Sequence, residues 1–260
     1  MTGNDPYKPH KRRKKTDPAL ILFFVVLMII GELLFAGVSP EPYQDPTTVP
    51  AIRPTLNSTT QPTIQPEKIP DFCGDPFVVL NDGEPFFTDA DLVTKSYEYY
   101  APLDSLERCG VTMACVGRDI MPTDERGSIS SVKPTGWVQA YYDFVDGNAL
   151  YNRCHLLGFQ LTGENANKLN LITGTRYMNV DGMLPFENMI ADFVKETGYH
   201  VIYRVTPIFE GDDLVARGVR MEAKSVEDNG EGICFHVFCY NVQPGVTIDY
   251  ATGESRLSRN

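Results

Sequence analysis

The chain has 260 residues, of which 42% are hydrophobic and 11% aromatic, enough for a sizeable core in one or two domains. From Asp71 onward it holds 28 acidic and 15 basic residues, a net charge of −13. This excess of carboxylates argues against a broad positive surface that binds nucleic acid along its length.

The first 70 residues differ in composition from the rest and divide into three segments. Residues 1–17 form a polar, basic tail, and residues 18–38 are almost wholly apolar. About 20 apolar residues can cross a bilayer as a helix, and the basic cluster before them would stay cytoplasmic. We therefore expect a membrane anchor at residues 19–38 and an extracellular remainder. A cleaved signal peptide is the alternative, because Leu34-Phe35-Ala36 before Gly37 is an acceptable cleavage site.

Residues 39–70 contain eight prolines among Thr, Gln, Asn and Ser. Such a segment buries too little apolar surface to offset its chain entropy, so it is expected to be an extended linker. A folded domain is predicted to follow at residues 71–260.

Six cysteines, all after residue 70, are compatible with up to three disulfide bonds in an exported domain. Six cysteines allow fifteen pairings, which the sequence does not decide. Cys109 and Cys115 are close enough in the chain for a local bond, which is the first pairing to expect.

Residues 71–260 have the pattern of an α+β domain with a mostly antiparallel sheet and one main helix. Apolar residues from Met183 to Thr197 recur near helical spacing, and Gly198 follows as a C-cap. Residues 77–80 and 86–87 predict a hairpin across a Gly-containing turn. Further strands are predicted at residues 111–116, 137–144, 200–205, 214–221 and 233–240.

The segment Tyr151 to Gly158 carries the chemistry, because Arg153 places a guanidinium near the imidazole of His155. Residues 170–179 offer neutral oxygen ligands before the predicted helix, and Glu187 adds a carboxylate within it. A base, a cation and a weakly held metal ion are what phosphodiester hydrolysis requires. The pattern therefore indicates a metal-dependent nuclease.

The run Asn152-Arg153-Cys154-His155-Leu156 resembles the Asp-Arg-Gly-His signature of the DNA/RNA non-specific endonucleases. These are ββα-metal nucleases, which include bacterial DNA-entry nucleases and secreted streptococcal DNases. The similarity extends over most of residues 72–250. It implies the ββα-metal nuclease fold, with DNA and RNA as substrates. Together with the expected anchor or signal peptide, it predicts an enzyme at the outer face of a bacterial membrane or in secreted form.

The resemblance also implies roles for individual residues. His155 corresponds to the general base that activates water, and Arg153 to the arginine that faces the phosphate. Asn179 corresponds to the sole protein ligand of Mg²⁺, with Mn²⁺ as the alternative ion. Asn170 corresponds to an asparagine that supports the site, and Glu187 to a glutamate that holds metal-bound water.

Basic residues outside the motif are candidates for binding the substrate. Arg126 and Arg176 are expected to contact nucleic acid, and Lys133 and Lys168 are expected to line the same groove. A local cleft of this kind is compatible with an acidic body, because a bound metal and a few arginines supply local positive charge.

Two positions depart from the family pattern. Asn152 replaces an acidic residue, and Cys154 replaces a glycine. Cys154 would be either disulfide-bonded or a free thiol. The alternative function is therefore a catalytically impaired surface protein of the same fold that binds nucleic acid. A third interpretation, an extracellular adhesion domain, leaves the site residues unexplained.

Overall fold

The computed structural model of the chain describes residues 68–259. The predicted basic tail, the apolar segment and nearly all of the predicted linker lie outside this range. Within residues 68–259 we find no helix with both the length and the apolar character needed to cross a membrane.

The elements follow one another as strands, a hairpin with the main helix, and strands again. In chain order they are β1 (Phe77–Val79), β2 (Tyr97–Tyr100), β3 (Thr112–Val116), β4 (Tyr151–His155), α1 (Phe159–Thr162), β5 (Leu171–Thr175), α2 (Leu184–Thr197), β6 (Val201–Ile208), β7 (Gly218–Ser225), β8 (Cys234–Tyr240), β9 (Val246–Ile248) and β10 (Ser255–Leu257). Short 3₁₀ turns lie at Asn81–Gly83 and Lys168–Asn170, and a π-helical turn at Met178–Met183 leads into α2.

Six strands form a central sheet in the order β1-β8-β7-β6-β3-β2, and every neighbouring pair is antiparallel. The α+β class with a mostly antiparallel sheet is thus confirmed. Strands β4 and β5 form a separate antiparallel hairpin, and β9 and β10 form another.

The helix α2 contributes one face to the main hydrophobic core. Ile190, Ala191 and Val194 on this helix are fully buried in the same cluster as residues of the central strands. The helix ends at Gly198, whose φ of 75° is a conformation that glycine adopts without steric cost. The predicted main helix and its C-cap are confirmed.

Two predicted strand assignments are wrong. Residues 77–79 pair with β8 rather than with residues 86–87, so the predicted hairpin does not form. Between residues 137 and 144 there is only an isolated bridge, from Tyr141 to Ala149. The first correction concerns a partner far away in the sequence, which local patterns do not specify. In the second, an alternating pattern did not suffice for a strand, since residues 137–144 make only this one bridge.

The predicted disulfide bonds are absent, since all six cysteines are free. The thiol of Cys109 donates to the carbonyls of Lys168 and Leu171, whereas that of Cys115 donates to the carbonyl of Val93. The two sulfur atoms therefore point to different surroundings, and short sequence separation was a poor guide to their pairing.

Candidate active site

A cavity of about 550 Å³ lies between the β4–β5 hairpin, the π-helical turn and the start of α2. Its lining is rich in polar and charged side chains. The lining residues are Arg126, Ile129, Trp137, Gln139, Tyr151, Asn152, Arg153, His155, Gly158, Phe159, Gln160, Arg176, Asn179, Leu184 and Glu187.

His155 is the last residue of β4, and its ring has two different partners. Nε2 lies 2.7 Å from the backbone carbonyl of Asn165, and Nδ1 lies 3.3 Å from Nη2 of Arg126. A carbonyl only accepts and a guanidinium only donates. The proton is therefore assigned to Nε2, and the lone pair of Nδ1 is directed toward Arg126.

The environment of His155 keeps the imidazole neutral. The side chain is 7% exposed, and burial lowers its pKa below 6.5; the charge of Arg126 acts in the same direction, whereas the hydrogen bond to Asn165 opposes it. A neutral imidazole with a free lone pair is the form that can accept a proton.

Arg153 is held from two sides. Its guanidinium donates to the carbonyls of Val132 and Ser130, and it lies over the ring of Trp137 at 4.2 Å from the centroid. These contacts fix a planar cation in the wall of the cavity.

Arg176 also lines the cavity, but its charge is partly compensated. Its Nη2 forms an ion pair with Asp146 at 2.6 Å, on a surface where both side chains are accessible to water. Such an exposed pair is weak and can exchange for a phosphate. The predicted contributions of Lys133 and Lys168 are not found, because neither residue lines the cavity, and Lys168 pairs with Glu107.

Asn170 lies outside the cavity lining and is fully buried. Its Oδ1 accepts from the backbone N–H of Leu157 at 2.8 Å, and its Nδ2 donates to the carbonyl of the same residue at 2.9 Å. The side chain thus fixes the backbone two residues after His155. Asn170 therefore supports the backbone beside His155 and does not itself line the cavity.

Asn179 and Glu187 reach the cavity from the π-helical turn and from the first turns of α2. The carboxyl of Glu187 packs over Gly158, where a Cβ would stand 2.7 Å from Oε2. Burial raises the pKa of Glu187 to about 8, although Arg126 lowers it. Glu187 forms no salt bridge with any residue in the range 68–259.

This donor set suits a hard divalent cation. An amide oxygen and a buried carboxyl without an ion-pair partner face the same cavity, and a cation would favour the ionised carboxylate. No group of three or more His, Cys, Asp or Glu within residues 68–259 is arranged to hold a metal. The residues that face the cavity therefore suit a divalent cation that keeps much of its own water.

The two departures from the family signature are accommodated by the hairpin. Cys154 is a free, fully buried thiol that packs beside Gly174, where any Cβ would overlap its sulfur. Asn152 lines the cavity, while the ring of His155 is held by Asn165 and contacted by Arg126. Neither substitution displaces the histidine from the cavity.

The structure brings six of the predicted site residues together in one cavity: Arg126, Arg153, His155, Arg176, Asn179 and Glu187. Two contributors were not predicted from the sequence. Trp137 supports Arg153, and this aromatic contact depends on the tertiary fold. The carbonyl of Asn165 orients His155, and no sequence signal marks it because any residue type supplies a carbonyl.

The ββα-metal nuclease class is defined by a β-hairpin whose first strand ends in a histidine, followed by a helix. Here the first turns of the helix face that histidine across the cavity. The model of the DNA/RNA non-specific endonuclease family matches residues 90–227, which is just over half of the chain. The chain therefore belongs to the DNA/RNA non-specific endonuclease family.

Solved nuclease structures share the fold. NucA from Streptococcus agalactiae is 28% identical over 69% of this chain and 86% of that protein, with TM-scores of 0.61 without metal and 0.62 with a magnesium ion bound. The nuclease Sda1 with a bound zinc ion is 24% identical over 71% of this chain and 97% of its own, with a TM-score of 0.58. The likeness to Sda1 is one of fold alone.

Proposed function

We propose that this endonuclease hydrolyses phosphodiester bonds of DNA and RNA with Mg²⁺ or Mn²⁺, using His155 as the general base. The observation that carries the proposal is the position of His155, whose Nε2 is held by the carbonyl of Asn165 and whose Nδ1 contacts Arg126 in a cavity that also holds Asn179 and Glu187. Family membership and the magnesium-bound NucA neighbour support it.

His155 would take the proton of the attacking water on Nδ1. Water oxygen bonds to phosphorus, the bond to the 3′-oxygen breaks, and that oxygen leaves with a proton from solvent. The Nε2–H bond to Asn165 becomes stronger as the ring gains charge, so the carbonyl stabilises the imidazolium.

Negative charge that develops at phosphorus must be stabilised within the cavity. Arg153 presents a fixed guanidinium there, and Asn179 would hold the cation through its side-chain oxygen, with Glu187 accepting from the water around it. A bound cation would supply electrostatic stabilisation of the charge that develops on the phosphate and on the leaving oxygen.

Arg126 must release Nδ1 before His155 can act as a base. An arginine gains more from a charged phosphate than from a neutral imidazole, because a charge-assisted hydrogen bond is the stronger one. A phosphate in the cavity would therefore draw Arg126 away from His155. This exchange would expose the base only when substrate is present.

We further propose that the enzyme acts outside the cell, tethered by residues 19–38 or released after cleavage of a signal peptide. The uniformly apolar run behind a basic tail supports this placement. The predicted linker would then hold the nuclease domain away from the membrane surface.

The test uses the full-length protein on supercoiled plasmid and on single-stranded RNA, with Mg²⁺, Mn²⁺ or EDTA. We expect cleavage of both substrates that EDTA stops, and a loss of at least about 100-fold in His155→Ala and Asn179→Ala. His200→Ala is the matched control, since His200 pairs with Glu227 and does not line the cavity.

Cleavage by His155→Ala at the wild-type rate would overturn the assignment of the base. Binding of nucleic acid by the wild type without any cleavage would overturn the enzymatic proposal, and would leave the impaired binding protein as the function of this fold.

A further inference from the structure

An aromatic side chain stands exposed two residues after Gln139, which lines the catalytic cavity. Tyr141 is 72% exposed, the most exposed of the large hydrophobic side chains in residues 68–259. It belongs to the segment 137–142, which runs antiparallel to the chain that enters β4: Leu150 donates to the carbonyl of Ala140, and Tyr141 bridges to Ala149.

The position of Tyr141 follows from the alternation of side chains along this segment. Trp137 and Gln139 both line the cavity, and alternate residues of an extended chain share a face. Gln139 is fixed there by two bonds to the backbone of Tyr151: its Oε1 accepts from the N–H, and its Nε2 donates to the carbonyl. Tyr141 is the next residue on that face.

The neighbouring aromatic residues have partners of their own. The hydroxyl of Tyr142 shares a hydrogen bond of 2.9 Å with Ser255, and the ring of Phe144 packs on Tyr142 at 5.7 Å between centroids. Phe144 is 56% exposed. Two exposed aromatic rings therefore lie close together in sequence. Of these two, only Tyr141 follows the alternation that places Trp137 and Gln139 in the cavity lining.

The charge of the domain explains why an aromatic contact would matter here. A nuclease needs affinity for its substrate strand, yet residues 71–260 carry a net charge of −13. Among the described residues, only three cationic side chains line the cavity: Arg126, Arg153 and Arg176. Affinity from counterion release is therefore limited, and stacking of bases on aromatic rings is the other general source of affinity for single strands.

We propose that Tyr141 is a stacking platform for an unpaired base of the substrate strand, just outside the catalytic cavity. The inference rests on the proposed function, since it requires that a nucleic-acid strand enters the cavity. A base paired within a duplex has no free face for such a ring. The enzyme should therefore bind single-stranded or locally opened substrate in preference to duplex.

The test compares Tyr141→Ala with Tyr141→Phe, which keeps the ring, and with Phe144→Ala as the matched control. The full-length protein in EDTA is titrated with a fluorescent oligothymidylate and with an abasic strand of equal length and charge. Because about 300 mM NaCl weakens phosphate contacts, this salt concentration favours detection of the stacking contribution.

We expect Tyr141→Ala to weaken binding of oligothymidylate roughly 5- to 150-fold, the range that corresponds to the loss of one stacked base. Tyr141→Phe and Phe144→Ala should bind like the wild type, and the abasic strand should bind all four proteins equally. Equal binding of oligothymidylate by Tyr141→Ala and wild type overturns the proposal, as does equal binding of both strands by the wild type.

A small substrate separates this proposal from the proposed function. Cleavage of the p-nitrophenyl ester of thymidine 5′-phosphate with Mg²⁺ requires the catalytic residues but offers no neighbouring base. Tyr141→Ala should retain wild-type activity on it. Loss of that activity in Tyr141→Ala would show that Tyr141 acts on the catalytic centre itself, and would overturn the stacking role. Inactivity of the wild type on this substrate would count against the nuclease chemistry alone.

Discussion

At the scale of single residues, Glu187 is the group whose ionisation most depends on what the cavity contains. The residue is 9% exposed, and burial raises its pKa from 4.5 to about 8. The folded protein without metal thus favours the protonated carboxyl at neutral pH. A divalent cation in the cavity would lower the pKa of this carboxyl, so that the ionised form would again be the more stable one at neutral pH.

The raised pKa of Glu187 predicts a pH-dependent stability in EDTA. Its stabilising contribution is complete below the unfolded pKa near 4.5 and is lost as the pH rises toward the folded pKa near 8. Across that window the free energy of unfolding should fall by up to about 1.4 kcal/mol per pH unit relative to Glu187→Gln. Urea denaturation of both proteins between pH 5 and pH 8 measures this difference.

Mg²⁺ provides the control for this experiment. At pH 8 it should stabilise the wild type more than Glu187→Gln, because the variant lacks the charge that responds to the cation. Parallel stability curves for the two proteins in EDTA would contradict the assignment of Glu187 as a buried protonated carboxyl.

At the scale of elements, the sequence predicted those structures whose determinants are local. The helix α2 was found from apolar spacing and from Gly198, both contained within one stretch. The pairing of β1 with β8 was missed because it joins residues about 160 positions apart, for instance Phe77 and Cys239. Local patterns indicate that a strand forms, but its partner is selected by burial in the whole sheet.

The site shows the same division between local and non-local causes. His155, Asn179 and Glu187 were found because the motif and its spacing are written along the chain. The π-helical turn that carries Asn179 was not predicted, since the extra residue per turn depends on how α2 packs. The same holds for the contact between Arg126 and His155, which joins two segments through the tertiary fold.

The connection between β4 and β5 is held at its base by Asn170. Removal of this side chain leaves the N–H and the carbonyl of Leu157 without their partners in a buried place. Each unsatisfied group costs about 1–3 kcal/mol, so Asn170→Ala should lower the free energy of unfolding by at least about 2 kcal/mol. Urea denaturation in EDTA measures the loss.

Asn167→Ala is the matched control for Asn170→Ala. Asn167 lies on the same connection, but its side chain caps a short turn with a single bond to the N–H of Leu169, at a half-buried position. Its removal should cost about 1 kcal/mol. A loss for Asn170→Ala no larger than for Asn167→Ala would show that the two bonds to Leu157 do not hold the connection.

At the scale of the whole molecule, positive charge is local rather than distributed. Within residues 68–259 the cationic side chains that line the cavity are Arg126, Arg153 and Arg176. They lie on a domain whose other charges are mostly acidic. Phosphates should therefore be bound at a few defined points, whereas the remaining surface repels them.

This charge distribution predicts how binding responds to salt. Each phosphate contact adds about −0.7 to the slope of log K against log salt concentration for a single strand. Arg126→Ala should therefore make the slope less steep by about 0.7. Arg118→Ala should leave it unchanged, because Arg118 donates to the carbonyls of Val194 and Lys195 at the end of α2 and does not line the cavity.

Anisotropy titrations of the full-length proteins in EDTA, between about 50 and 400 mM NaCl, measure both slopes. Because the basic tail contributes equally to all variants, the difference between slopes isolates the cavity. Equal slopes for wild type and Arg126→Ala would show that Arg126 makes no phosphate contact.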